Sequence, residues 1–129
     1  MSNTVTRTIL QDGPKYATVR TYLKSDGTTG DEVVLLVDAS ALQDAPTKLT
    51  ITQIWFGLTG FSGTINFDAT TDSPVIQIPA ELTEEFDFRC FGGIPDPQDT
   101  GHTGDINMLT SGFSAATDIG FVIVQVRKD

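Results

Sequence analysis

His102 is the only histidine of the 129-residue chain. It stands in Asp96-x-x-Asp99-x-x-His102-x-x-Asp105, a spacing that could set a general base or a Ca²⁺ ligand among loop carboxylates. The pattern matches no EF-hand or zinc motif, and 13 aspartates make chance clustering expected, so the plainer reading is a solvated loop histidine. Cys90, the only cysteine, could pair with His102 as nucleophile and base. Its place after Phe86 and Phe88 reads instead as a strand face on which a thiol is a small inert hydrophobe. Glu84 and Glu85 are adjacent, hence on opposite faces of a strand, and cannot flank one glycosidic bond together. Phosphate-binding glycine loops, dinucleotide fingerprints, zinc-protease helices and nucleophile elbows are missing from the sequence. The expectation is therefore a chain without catalytic residues, metal ligands or cofactor, an enzyme being the least favoured class.

The aromatic residues offer a different chemistry. Trp55, Tyr16 and Tyr22 could form a platform for sugars. Tyr16 and Tyr22 are six residues apart, on one face of their strand and roughly 20 Å from each other, too far to share one sugar ring. Trp55 lies in the most apolar segment, 49–58, which favours the core or a subunit interface over a sugar platform. In that segment Leu49, Ile51 and Trp55 fall on one face and Ile54, Phe56 and Leu58 on the other. A strand apolar on both faces needs a second cover, so Trp55 is expected in the core and Ile54, Phe56 and Leu58 toward a loop or a neighbouring chain.

The elements that must carry these residues follow from composition. Nineteen Thr, 10 Ile, 9 Val and 8 Phe against 4 Glu and 4 Lys favour half-buried pleated surfaces over helix faces. Short alternating runs recur about every 8 to 14 residues between Gly, Pro, Asp and Ser clusters. The expectation is an all-β, single-domain antiparallel β-sandwich over residues 1–129, jelly-roll-like, with eight or nine strands. Pro74 and Pro79, which cannot donate to a ladder, bracket a segment that is either an edge strand or a strand terminus. The longest loop runs from Gly92 to Gly104, and residues 39–46 make a loop with at most one helical turn. Met1 to Thr4 form a polar arm that is either free or added to a neighbour's sheet edge.

A net charge of -9, with 8 Lys+Arg against 17 Asp+Glu, argues against nucleic-acid and anionic-membrane partners. No apolar run approaches the length of a membrane-spanning helix, and the first residues lack the pattern of a secretory signal.

Eight stretches carry a resemblance: Asn3-Thr4-Val5-Thr6, Asp12-Gly13-Pro14, Val37-Asp38-Ala39-Ser40, Gly60-Phe61-Ser62 and then Asp68-Ala69-Thr70-Thr71-Asp72, Asp87-Phe88-Arg89, Phe91-Gly92-Gly93, and Thr103-Gly104-Asp105-Ile106. Together they resemble small structural proteins of tailed bacteriophages, particularly those of cyanobacteria and other marine bacteria. The resemblance implies a non-enzymatic virion protein, assembled in the host cytoplasm and carried on the capsid surface as decoration or cement. It implies the major capsid protein or other virion proteins as partners, and a homo-oligomer such as a trimer. A head-tail connector, a tail protein, or a module binding host glycans are the alternatives. Ile54, Phe56, Leu58, Thr4 and Val5 are the expected interface residues.

Overall fold

The computed structural model describes residues 3–128. Among them ten strands form: β1 (Thr4–Asp12), β2 (Tyr16–Lys24), β3 (Val33–Val37), β4 (Leu49–Thr59), β5 (Ser62–Phe67), β6 (Ser73–Ile78), β7 (Leu82–Asp87), β8 (Ile94–Pro95), β9 (Ile106–Ser111) and β10 (Ile119–Lys128). They pair as two antiparallel sheets. One has the order β1-β2-β10-β4-β7, with β8 bonded to β4, and the other β3-β9-β5-β6. Strands from the two halves of the chain interleave in both sheets, and β2-β10-β4-β7 facing β3-β9-β5-β6 is the double Greek key of a jelly roll, with β1 added outside β2. The all-β expectation holds. The additional strand is the short β8, inside the stretch read as loop.

Alternation explains the core. In β2, Ala17, Val19 and Leu23 point inward, and in β10 Val122, Val124 and Val126 do the same. Val34 and Leu36, Ile65 and Phe67, and Ile106 and Met108 meet them from the second sheet. Phe61 and Phe113 close one end with ring centroids 4.4 Å apart. β6, which carries Pro74 near its start and ends just before Pro79, is a sheet edge, where a missing backbone N–H is tolerated.

β4 departs from the sequence reading in an instructive way. Gln125 pairs with Gln53 and Val126 with Ile51, so Thr52 is an extra residue, a bulge. Its hydroxyl donates to the Gln125 carbonyl at 3.0 Å, and its own carbonyl accepts from Phe88 N–H at 2.9 Å. One inserted residue turns the strand over. Leu49 and Ile51 are inward before the bulge, and Ile54, Phe56 and Leu58 are inward after it, all of them 0–1% exposed. The segment is therefore a single apolar face with a change of phase, rather than two apolar faces.

β7 is also displaced from its expected place. It runs over Leu82–Asp87 and stops because Asp87 Oδ1 accepts the Arg89 backbone N–H at 3.0 Å, closing a side-chain turn. A 3₁₀ turn over Arg89–Phe91 follows, ended by Gly92 at a φ of 89°. Another 3₁₀ turn, Ala39–Ala41, occupies the segment expected to hold at most one helical turn. No helix among the described residues is long and apolar enough to cross a membrane.

Candidate functional site

The loop carboxylates and His102 do not converge. Asp96 is buried, and its Oδ1 accepts Gln98 N–H at 2.8 Å. Asp99 accepts the Ser73 hydroxyl, Asp105 Oδ1 accepts Ala39 N–H at 2.9 Å, and His102 is exposed with Nδ1 3.2 Å from the Asp99 carbonyl. Each acid serves a different backbone or side-chain partner, which corrects the idea of a common Ca²⁺ or base site there. No group of three or more His, Cys, Asp or Glu among the described residues is arranged to hold a metal ion. Burial raises the Asp105 carboxyl above its ordinary value, against the Ala39 N–H bond that lowers it, with Asp38 and Asp68 adding repulsion.

Cys90 is corrected as well. It lies in the 3₁₀ turn and is exposed, not on a buried phenylalanine face. Phe86 and Phe88 do pack inward, continuing a chain of rings from Phe56 (5.1 Å to Phe86, then 6.1 Å to Phe88). Beside them the Arg89 guanidinium and backbone N–H hold the Asp87 carboxyl down to about 2.

Among the five expected interface residues, Ile54, Phe56 and Leu58 are wholly inside the chain's own core, because the Thr52 bulge sends them inward. They cannot touch a neighbour. Thr4 and Val5 lie in β1, opposite Lys24 and Leu23, so the arm is tied to its own sheet from Thr4 onward; Met1 and Ser2 lie outside the described residues. Asn3 anchors it, donating to Gly30 O (3.0 Å) and Glu32 Oε2 (2.7 Å) and accepting from Asp26 N–H (3.0 Å). β1 remains an edge strand, with its outer backbone groups unpaired in the sheet and Val5, Ile9 and Leu10 37–48% exposed.

The same bulge that buries Phe56 turns Trp55 outward, reversing the expected roles of the two. Trp55 is half-buried on the outer face of the six-stranded sheet, where its Nε1 donates to Glu85 Oε2. The register builds one row across four strands, Arg20, Ile123, Trp55 and Glu85, and a neighbouring row of Tyr22, Phe121, Gly57 and Thr83. Gly57 is required in that row: a Cβ there would come within 2.8 Å of Phe121 Cε1 and 2.9 Å of Thr83 Oγ1, so the Phe121 ring lies over the glycine. An open hollow of about 610 Å³ lies among Trp55, Phe121, Ile123 and Thr83. Tyr16, on the same face, has the Lys15 ammonium 5.9 Å from its ring centroid. Sequence reasoning named the tyrosines and Trp55 but missed Phe121, Ile123 and Arg20, which reach Trp55 only through strand pairing across the chain. Their outward phase could have been read from the alternation of β10 and β2.

No family model matches the chain, and no curated protein matches it in sequence.

Proposed function

We propose that this protein is a non-enzymatic structural component of a tailed-bacteriophage virion, a decoration or cement protein that docks on the head shell as a homo-oligomer. The observation that carries the reading is the open β1 edge. A nine-residue edge strand with half-exposed Val5, Ile9 and Leu10 and no proline offers a backbone ladder that a neighbouring strand can extend. Docking there is β-augmentation, in which main-chain bonds supply affinity and the alternate side chains supply register. The jelly roll agrees with the reading, since viral capsid domains use it, though the fold hosts other functions too. The sequence resemblance of the turn segments adds a second, separate support.

The experiment is co-sedimentation of the purified chain with phage heads that lack it, together with its mass in solution. Binding at a fixed ratio to head proteins supports the reading. Binding to tails alone would move the protein to a connector or tail role, and a monomer without affinity for any particle would contradict both. Replacing Ile9 by Pro removes one edge N–H without touching the inner sheet, and should abolish docking while the chain stays folded.

A further inference from the structure

We propose that the outer face of the six-stranded sheet is a binding site for an anionic polysaccharide, one bearing carboxylates or sulfates. The proposal is independent of the virion reading, which concerns the β1 edge. It rests on the aromatic residues and the sign of the charge on this face.

The chain carries a net charge of -9, yet four of its eight Lys and Arg residues, Lys15, Arg20, Lys24 and Arg127, lie on or beside this face. Arg20 and Lys24 project outward from β2 and Arg127 from β10, in the same phase as Tyr22 and Phe121. Lys15 lies over Tyr16 at the margin of the same face. Of the acids beside the face, Glu85 accepts from Trp55 and Asp87 is paired with Arg89 at 2.8 Å, while Glu84 borders the hollow on the β7 side, across β4 from Arg20, Lys24 and Arg127 on β2 and β10. Screening over about 8 Å at physiological ionic strength separates the face from more distant aspartate loops, so a ligand at the sheet meets the local positive charge.

Trp55, Phe121 and Tyr22 form the apolar track. Phe121 is the register partner of Tyr22, and from the strand geometry Tyr22 and Trp55 stand roughly 12 Å apart, a span for successive units of one sugar chain. Aromatic rings take the C–H faces of sugars, while threonine hydroxyls and glutamine amides such as Thr18 and Gln125 in the next row can bond their hydroxyl groups. A nucleic acid fits less well. Tight phosphate binding uses about six to ten cationic contacts, more than this face holds, and the whole-chain charge opposes a long phosphate polymer. A protein partner would also cover aromatic and arginine side chains, and it is distinguished by the test.

The test is affinity electrophoresis of the full chain through gels holding polygalacturonate, heparin or the neutral hydroxyethylcellulose, with oligo(dT) binding measured by fluorescence anisotropy. The expected result is retardation by one or both anionic polymers, with binding at least about tenfold weaker to the neutral one and to oligo(dT). Trp55→Ala and Arg20→Glu should each weaken binding about tenfold, Arg20→Lys should retain most of it, and Val33→Ser on the opposite sheet should leave it unchanged. Thermal melts of the variants verify folding, and Trp55→Leu, which keeps apolar bulk without the ring, carries the aromatic arm if Trp55→Ala does not fold. The proposal is overturned by absence of retardation in both anionic gels, by equal retardation in the neutral gel, or by tighter binding of oligo(dT). It is also overturned if the Trp55 and Arg20 variants alter only the solution mass of the chain, which would make the face a protein interface.

Discussion

Lys128 in β10 places its Nζ 2.6 Å from Asp12 Oδ1 at the end of β1, and donates also to the carbonyls of Gly13 (2.6 Å) and Gln43 (3.0 Å). The lysine side chain is only 6% exposed, so its charge is held by these acceptors rather than by water. Lys128→Met, which keeps the stem, should cost about 2 kcal/mol in chemical denaturation, the worth of a partly buried charged hydrogen bond.

The same pair predicts a pH dependence. The Lys128 ammonium, with help from Gln43 N–H, holds the Asp12 carboxyl below its ordinary value of 3.8, against desolvation that raises it. A depressed folded-state value contributes stability that is complete above the unfolded value and is lost as pH falls through the lower folded one. The difference in stability between the wild type and Lys128→Met should therefore be constant above about pH 5 and shrink below pH 3.8. A difference independent of pH down to 2 would show that the pair contributes no charge interaction.

Asp105 has the opposite sign. Its folded-state value is raised, chiefly by burial, so its contribution to stability is present at low pH and lost as pH rises through the raised value. Asp105→Asn keeps the oxygen that accepts Ala39 N–H and removes the charge facing Asp38 and Asp68. The melting temperature at neutral pH should rise by about 2 °C, with little change at pH 3. A fall at neutral pH would mean that the charge itself is needed to hold the Ala39 turn.

Phe56 and Trp55 should respond to substitution differently. Phe56→Ala opens a cavity in the core beside Phe86 and should cost about 3 to 5 kcal/mol, whereas Trp55→Ala should cost about 1 kcal/mol, measured by denaturation of the isolated chain. Similar losses for both would place Trp55 within the core and remove the outer aromatic face.

The inversion of these two residues shows which parts of the molecule were legible in the sequence. Strands with unbroken alternation, such as β2 with Ala17, Val19 and Leu23, could be read directly, because one period identifies both the strand and its inner face. β4 could not, because an odd-to-even change of phase between Ile51 and Ile54 looks the same in sequence whether it marks two apolar faces or one bulge. Only the partner strand resolves it, through the pairing of Gln125 and Val126. Cys90 was misplaced because Asp87 ends its strand by bonding a backbone N–H two residues on, a local competition that alternation does not record. The Arg20, Ile123 and Trp55 row depends on register between distant segments, which no local pattern encodes.

Deleting Thr52 tests the bulge. The deletion would force Ile54, Phe56 and Leu58 onto the outer face or break the pairing with β10, and the chain should lose cooperative unfolding. Thr52→Ala keeps the residue count and should remain folded, at a cost of about 1 kcal/mol for the lost bond to Gln125. A folded, cooperative deletion variant would show that the register can slip without penalty.

Docking on a virion through the β1 edge, as proposed, would be seen in a cryo-electron microscopy reconstruction of purified particles carrying the chain. The expected map shows the two-sheet jelly roll at symmetry-related positions on the head, with density continuing the sheet beyond Thr4–Asp12 and Val5, Ile9 and Leu10 covered. Particles without the chain, or a chain bound with that edge facing solvent, would contradict it.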